Sequence, residues 1–234
     1  MAQPRRSATT QRRPVSEEIS ARSGRKPAAR RRIGDAVGAV VAGAVLLLTA
    51  LPIDRNDVGG LESTAFRWFN ELPGTVFPLA WGVMQLGNLL VVPAAVLIAI
   101  ISRRFRLAAG LAAAGSLVWI LAKDFKQIVP RDRPGELLDN IVLRHAPAAG
   151  NGYISGHAAV AFALVAVALP YMGRRVRWFA IALAILVCLA RVYVGAHLPL
   201  DVIGGAAFGW VIGCLVNLLV GTRMSRGEEP RQAP

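Results

Sequence analysis

Residues 191–220 read RVYVGAHLPLDVIGGAAFGWVIGCLVNLLV, and this stretch decides the fold. From Val202 through Thr222 the chain carries no charged side chain. This uncharged run is as long as a membrane-spanning helix needs to be, about 20 residues. Its charged and titratable groups lie at the beginning, where Arg191, His197 and Asp201 precede the apolar run. The pattern predicts a membrane helix with a functional site at one end.

The composition of the whole chain agrees with this interpretation. Of 234 residues 54% are hydrophobic, and the mean hydropathy is +0.47. Uncharged runs occupy residues 36–53, 72–102, 107–122, 158–173, 178–190 and 202–222. The first, second and sixth are long enough to span a membrane, and the other three become so if their polar ends are included. We therefore predict an all-α, polytopic membrane protein with six transmembrane helices.

The two ends of the chain differ in composition from this apolar part. Residues 1–32 contain ten Lys or Arg and two Glu, with no apolar periodicity, and we predict a disordered cytoplasmic tail. Residues 223–234 form a second short tail, which leaves 33–222 as the membrane domain. Basic tails can bind nucleic acid, but contact with anionic lipid heads explains this one better, and no nucleic acid partner is expected.

The basic residues predict the orientation in the membrane. Nineteen of the 27 Lys and Arg lie in four places, namely the two tails and the connections at 103–106 and 174–177. Positive charge is retained on the cytoplasmic side. Six spans then place both termini in the cytoplasm of a multi-pass plasma (inner) membrane protein. The connections at 54–75, 123–156 and 191–201 fall on the outer face, which predicts a catalytic site at the outer membrane surface.

The spacing of His197 and Asp201 suggests a working pair. If the last helix begins near His197, residues four apart share a face, and Asp201 can accept a hydrogen bond from one imidazole nitrogen. The other nitrogen is then free to act as a nucleophile. A histidine alone is more often structural or solvated, but Arg191 before it and Asp201 after it favour a site.

Residues 155–157, Ser-Gly-His, come directly before the fourth apolar run. Ser155 is a suitable N-cap, and a cap with a turn is one sufficient interpretation. The other is an anion site, because a helix start presents free N–H groups and Gly156 allows close approach of the backbone. His157 would then stand beside a bound phosphate.

Lys126 and Arg133 bracket a loop after the third run, where Pro134 restricts Arg133 to an extended conformation. Either cation alone is explained by snorkelling at the membrane surface. Together they suit phosphate, because guanidinium binds it bidentately and ammonium adds a point charge. The neighbouring charges, which we interpret as interfacial, are Lys123, Asp124 and Arg131.

The three segments together resemble the tripartite signature of the type 2 phosphatidic acid phosphatase superfamily. That pattern is Lys, six residues, Arg-Pro; then Pro-Ser-Gly-His; then Ser-Arg, five residues, His, three residues, Asp. This chain has KQIVPRDRP at 126–134, ISGH at 154–157 and ARVYVGAHLPLD at 190–201. Two positions depart from it. Ile154 replaces Pro and is expected to loosen a turn, and Ala190 replaces Ser and is expected to remove a hydroxyl from the phosphate site.

The resemblance, which covers about residues 33–222, implies a lipid phosphate phosphatase without metal or cofactor. It makes His197 the nucleophile that forms a phosphohistidine, Asp201 its orienting partner and His157 the general acid and base. The phosphate-binding residues that it implies are Lys126, Arg133, Ser155, Gly156 and Arg191. Its implied substrate is a membrane lipid such as a polyprenyl diphosphate, phosphatidate or phosphatidylglycerol phosphate. The alternative is a non-catalytic membrane scaffold or transporter that retains the signature.

Small residues predict helix packing. Gly205, Gly209 and Gly213 recur every four positions and allow another helix to approach closely, either within the chain or across a homodimer. Cys188 and Cys214 lie in apolar stretches and are expected to be buried thiols. His145 is expected to be a solvated loop residue, with substrate contact as the alternative. Residues 61–70, LESTAFRWFN, predict a short helix at the outer interface.

Overall fold

A computed structural model describes residues 33–221, and regular structure in this part is helical, with no strand. The helices are α1 Ile33–Ala50, α2 Gly60–Asn70, α3 Phe77–Met84, α4 Val91–Ile101, α5 Phe105–Ile128, α6 Pro134–Leu137, α7 Gly156–Ala168, α8 Arg174–Tyr193 and α9 Pro199–Val220. The all-α prediction is confirmed. The predicted tails and Thr222 lie outside the described residues.

Four helices, α1, α5, α8 and α9, are long and apolar enough to cross a membrane. Segments Gly74–Gly87 and Val91–Ile101 meet at a bend of 64° and make a fifth crossing if they count as one span. The helical stretch Gly156–Tyr171 is apolar but shorter. Each of the six predicted runs coincides with one of these segments, and α5 and α8 include their polar ends as expected. A total of six spans stays a prediction.

Helix α9 lies at the centre of the bundle and makes its most extensive contacts with α7 and α1. Its glycine stripe faces the segment that leads into and forms α7. A Cβ added at Gly205 or Gly209 would collide with a backbone carbonyl of that segment, and one at Gly213 would lie 2.5 Å from the Ala166 methyl. The predicted close packing is confirmed, and the contact is internal to the chain.

Helix α2 confirms the helix predicted at 61–70, and it lies over the connection between α8 and α9. Its Phe66 is fully buried against Val192, Leu198 and Val202. Apolar packing of this one side chain therefore fixes α2 beside the start of α9. The charged residue one turn earlier, Glu62, is carried to the same place.

The connection between α6 and α7 is held over the end of α8 by polar contacts. Asn70 Nδ2 donates to Val142 O at 2.9 Å and to Tyr193 O at 3.1 Å. The backbone N–H of Arg144 donates to Val194 O at 3.0 Å. These bonds fix the loop from both sides, so that its residues near 145 lie above the ends of the long helices. Cys188 and Cys214 are free and buried, as predicted.

Candidate active site

A cavity of about 460 Å³ opens where α5 and α8 end and α7 begins. Its lining residues are Trp81, Met84, Gln85, Asn88, Lys126, Arg133, His145, Pro147, Gly156, His157, Arg191 and His197. Six of the eight site residues predicted from sequence are in this lining. The other two, Ser155 and Asp201, are completely buried next to it. The fold thus brings all three signature segments together.

The lining of this cavity contains three cations and no carboxylate. Two of the cations are fixed by backbone carbonyls. Lys126 Nζ donates to a loop carbonyl at 2.9 Å, and Arg133 Nη1 donates to Ala196 O at 3.0 Å. Arg191 is 7% exposed and its Nη1 lies 3.8 Å from Met84 Sδ. Within residues 33–221, no group of three or more His, Cys, Asp or Glu is placed to hold a metal ion. The cavity is suited to a multiply charged anion.

Buried polar atoms without partners concentrate at this cavity. In residues 33–221 the side-chain atoms of this kind are Arg133 Nε, Arg191 Nε, Ser155 Oγ, His197 Nδ1, Arg131 Nε and Asp35 Oδ2. Four of the six belong to predicted site residues. A buried donor without an acceptor costs about 1 to 3 kcal/mol. An anion in the cavity would supply acceptors to the two guanidinium Nε–H groups.

His197 and Asp201 come together by a different geometry from the one expected. Helix α9 begins at Pro199 with Leu198 as N-cap, so the helix starts near His197 as expected, although His197 itself precedes the N-cap. The Asp201 carboxylate turns back along the helix, and its Oδ2 accepts the Leu198 N–H at 2.8 Å. The same oxygen lies 3.6 Å from His197 Nδ1. This contact is just beyond hydrogen-bond distance, and it leaves Nε2 of the imidazole away from the carboxylate.

The electrostatic surroundings keep the His197 imidazole neutral. Burial lowers its pKa well below the ordinary value of 6.5, and the charges of Arg191, Lys126, Arg133 and His157 lower it further. A neutral imidazole retains the lone pair that a nucleophile requires. The cations that suit the cavity to an anion therefore also lower the pKa of this imidazole.

The start of α7, for which an anion-binding role is predicted, presents donors without partners. Ser155 is the N-cap residue, yet its hydroxyl makes no capping bond. Gly156 has nothing within 4 Å of the position where a Cβ would stand, so the backbone there faces open space. Free N–H groups at a helix start and a free hydroxyl are both donors to phosphate.

The two departures from the signature have packing roles. Ile154 is completely buried in the main core cluster. Ala190 is 5% exposed and packs with Ala80, Met84 and Tyr193 in an apolar cluster between α3 and α8. It lines a separate apolar groove and is not part of the polar cavity. The expected effect of Ala190 on phosphate binding has no support in this arrangement.

Sequence analysis missed Arg131, which it interpreted as an interfacial charge. The side chain of Arg131 is 1% exposed and lies between Glu62 and Asp201, with Nη1 3.0 Å from Asp201 Oδ1. Its position between Pro130 and Pro134 was the only local hint that it is held rather than solvated. Glu62 lies 69 residues earlier and has no local signal.

One wall of the cavity was also missed. Trp81 and Met84 on α3, and Gln85 and Asn88 in the bend between α3 and α4, belong to a stretch that the sequence presents as an ordinary apolar span. His145 is an exposed loop residue, as expected, but it also lines the cavity. Its ring lies 5.5 Å from that of Phe77 and 6.1 Å from that of Trp81, measured between centroids.

A family model described as the PAP2 superfamily matches residues 103–225, which is more than half of the chain and includes all three segments. The chain belongs to the PAP2 superfamily. This confirms the resemblance drawn from the signature. Two solved PAP2-like folds are similar in structure to this PAP2 protein. The crystal structure of Aquifex aeolicus LpxE has a TM-score of 0.64 and 24% identity, and the match covers 70% of this chain and 98% of that one.

The second solved structure is that of the first transmembrane PAP2 type phosphatidylglycerolphosphate phosphatase from Bacillus subtilis. Its TM-score is 0.61 at 23% identity, and the match covers 77% of this chain and 94% of that one. At these identities the similarity shows a shared fold. Together with the apolar helices described above, it identifies this PAP2 protein as a membrane protein of the same architecture.

Two relatives are similar in sequence. A lipid A 1-phosphatase from Rhizobium johnstonii is 38% identical over 94 residues, and the match covers 38% of each protein. An undecaprenyl-diphosphatase from Sulfolobus acidocaldarius is 30% identical over 129 residues, covering 55% of this chain and 60% of that protein. This chain therefore spans less than two thirds of the length of either relative.

Proposed function

We propose that this PAP2 protein is a lipid phosphate phosphatase that works through a phosphohistidine intermediate. The observation that carries the proposal is the cavity itself, with Lys126, Arg133 and Arg191 around a neutral imidazole and no carboxylate in its lining. Such a site attracts a phosphate and offers it a nucleophile. The names of the relatives and structural neighbours, all phosphatases of lipids where a substrate is named, support the same class.

In the first step the lone pair of His197 Nε2 forms a bond to phosphorus. The bridging P–O bond breaks, its electron pair stays on the lipid oxygen, and His157 gives a proton to that oxygen. A monoester releases an alcohol, and a diphosphate releases a lipid monophosphate. Asp201 holds the Nδ1 side of the ring and stabilises the positive charge that the imidazole gains.

In the second step a water oxygen attacks phosphorus and the P–N bond breaks. The bond's electron pair returns to His197 Nε2, and the proton of the water passes to His157. Inorganic phosphate leaves, and both histidines return to their starting protonation states. His157 needs no other proton donor, because it regains in this step the proton that it lost in the first.

The three cations stabilise the five-coordinate transition state in this mechanism, in which negative charge spreads over the equatorial oxygens. Ser155 Oγ and the N–H of Gly156 add donors at the start of α7. Donors aimed at developing charge supply a large part of such catalysis, because they require no reorganisation during the reaction.

The substrate class follows from where the cavity opens. It lies at the ends of long apolar helices, so a lipid tail can stay in the bilayer while its phosphate enters the site. Phosphatidate, phosphatidylglycerol phosphate and polyprenyl diphosphates all have this form. The basic connections at 103–106 and 174–177 would face the cytoplasm and contact anionic lipid heads, which puts the site on the outer face of an inner membrane.

The test is phosphate release by the purified full-length protein from these three lipids, with His197→Ala measured beside it. We expect release from at least one lipid and a loss of about 10³-fold or more in the variant. Equal phosphate release by both proteins, or no release from any lipid, would contradict the assignment and favour a scaffold or transporter. Thermal unfolding of both proteins verifies that the variant is folded.

A further inference from the structure

Arg131 is not one of the phosphate-binding residues that the three signature segments predict. It is nevertheless more deeply buried than any of the three cations that line the cavity. Its side chain is 1% exposed. One guanidinium nitrogen, Nη1, donates to Asp201 Oδ1 at 3.0 Å and to Glu62 Oε1 at 3.0 Å. The other, Nη2, donates to Glu62 Oε2 at 2.5 Å. The fork of one arginine therefore joins two carboxylates that are far apart in sequence.

Glu62 holds more than the arginine. Its Oε1 also accepts the backbone N–H of Leu200 at 2.8 Å, in the first turn of α9. Its side chain is 9% exposed, and it belongs to α2, which Phe66 fixes against the same region. Glu62 thus ties α2, the loop after α5 and the start of α9 to one point directly behind Asp201.

The arrangement determines which way Asp201 faces. Arg131 takes Oδ1 and the Leu198 N–H takes Oδ2 from one side, so the carboxylate cannot rotate without losing one of the two bonds. Oδ2 is the oxygen that faces His197 Nδ1. A carboxylate fixed at both oxygens defines the orientation and the tautomer of the ring that it meets.

The arrangement also controls charge. Asp201 is completely buried, and a buried carboxylate without a counterion is strongly unfavourable. Arginine supplies a permanent positive charge. Burial acts to lower the pKa of Arg131, but its hydrogen bond to Glu62 and the charges of Asp201 and Glu62 hold that pKa above its ordinary value. Asp201 therefore has a counterion other than its histidine, and the histidine can remain neutral.

We infer that Arg131 and Glu62 are positioning residues for Asp201, an inference that rests on the proposed function. Arg131 fixes and balances the carboxylate, and Glu62 fixes Arg131. Neither residue lines the cavity, so both act through Asp201 on the nucleophile and not on the phosphate. The charged and titratable groups facing His197 are Asp201, Arg191, Lys126, Arg133 and His157.

The test compares Arg131→Met, Arg131→Lys and Glu62→Gln with Arg55→Met as a control. Arg55 is a matched arginine because its Nε lies 4.0 Å from Asp132 Oδ1, but its side chain is 64% exposed. For each full-length protein, kcat and KM are measured against pH with the lipid that the wild type hydrolyses fastest. Inhibition by inorganic phosphate reports the cavity separately.

Arg131→Met is expected to lower kcat about 10- to 100-fold, as loss of an orienting partner does, with KM and phosphate inhibition within about threefold. Loss of its positive charge favours the protonated imidazole, so the acid limb of the pH profile moves to higher pH by about one unit. Glu62→Gln removes a negative charge and moves the limb to lower pH. Arg131→Lys retains the charge, so the limb stays at its wild-type position while kcat falls.

Shifts of the acid limb in opposite directions in Arg131→Met and Glu62→Gln support the inference. If the two residues had a merely structural role, the acid limb would move in neither variant. The inference would be overturned if Arg131→Met had the same kcat and the same acid limb as the control Arg55→Met, or if only its KM changed. If Arg131→Met does not fold, the lysine and Glu62 variants decide by the same criteria.

A separate measurement distinguishes failure of this inference from failure of the proposed function. The chain has three histidines, so the imidazole resonances of His197 can be assigned by comparison with His197→Ala and titrated directly by NMR. The same opposite shifts in that titration are expected even if no lipid in the panel is hydrolysed. Identical titrations in all variants would overturn the inference whatever the activity.

Discussion

Asp201 Oδ2 lies 3.6 Å from His197 Nδ1 while accepting the backbone N–H of Leu198 at 2.8 Å. One carboxylate oxygen thus caps the helix and faces the proposed nucleophile. Oδ1, the other oxygen, belongs to Arg131. The proposed catalytic pair is consequently fixed by the same bonds that start α9, so the geometry of the site and the beginning of the helix cannot change independently.

Replacement of Asp201 by Asn should therefore remove most activity. The amide can present its NH₂ group to Nδ1 and stabilise the wrong tautomer, and it no longer balances Arg131. We expect kcat to fall by about 10³- to 10⁴-fold, as happens when a triad aspartate becomes asparagine. Asp132→Asn, at a partly exposed carboxylate, is the control. Retention of a tenth of wild-type activity by Asp201→Asn would contradict the proposed role.

The pH dependence follows from the pKa of His197. Because burial and four neighbouring groups lower that pKa well below 6.5, the imidazole stays neutral as pH falls through 6.5. The acid limb of kcat/KM, which reports the free enzyme, should lie below pH 6.5. Native His197 binds fewer protons than unfolded His197 there, so its contribution to stability is full above about pH 6.5 and declines below it. An acid limb above pH 7 would contradict this prediction if His197→Ala were the only variant in which that limb disappears.

Two lysines on α5 provide a matched comparison for phosphate binding. Lys126 lines the cavity, whereas Lys123 Nζ lies 3.7 Å from the centroid of the Trp119 ring. Lys126→Ala should lower kcat/KM by about 10²-fold, because it removes one preorganised donor to the transition state. Lys123→Ala should stay within about twofold of the wild type. Equal effects of the two substitutions would argue against a specific phosphate contact at Lys126.

The packing of α9 on α7 can be tested at one glycine. A Cβ at Gly209 would collide with the Ala159 carbonyl, which is backbone and cannot move aside. Gly209→Ala should destabilise the protein by about 1 to 3 kcal/mol, the usual cost of overpacking. Gly43→Ala in α1, with nothing within 4 Å, is the control and should be neutral. Thermal unfolding in detergent measures both, and equal midpoints would show that the two helices can separate without cost.

The proposed orientation can be tested by labelling intact cells with an impermeant maleimide. Ala149→Cys lies in the exposed loop before α7 and should react from outside, whereas Arg104→Cys should react only after the membrane is permeabilised. The native thiols of Cys188 and Cys214 are buried and give little background. Labelling of Arg104→Cys alone in intact cells would invert the topology.

Much of the fold was accessible from sequence because hydropathy and helix termination are local properties. Each uncharged run became a helical segment, and the polar ends of α5 and α8 carried Lys126 and Arg191 to the cavity as expected. The bend at residues 88–90 was not foreseen, since the run at 72–102 is uniformly apolar. Gln85 and Asn88 at this bend line the cavity together with Trp81 and Met84 from the end of α3.

The spacing of the signature was enough to select the site residues but not their geometry. Six of eight proved to line one cavity. The start of α9 near His197 was expected, but the capping role of the Asp201 carboxylate, which accepts the N–H of the N-cap residue Leu198, was not. The effect predicted for Ala190 was based on the family signature, which has Ser at this position, whereas the Ala190 side chain packs in an apolar cluster with residues of α3.

The sequence by itself determined the helices, the membrane character and the identity of the three signature segments, because each depends on residues close together in the chain. Only the tertiary structure decided which charges are buried. Apart from its position between two prolines, Arg131 resembled the exposed charges Lys123 and Asp124, and Glu62 was one acid on a short amphipathic helix. Arg131 contacts Glu62, which lies 69 positions earlier in the chain, and Asp201, which lies 70 positions later. Burial of a charge is favourable only when distant partners arrive at the same place, and no local pattern records that condition.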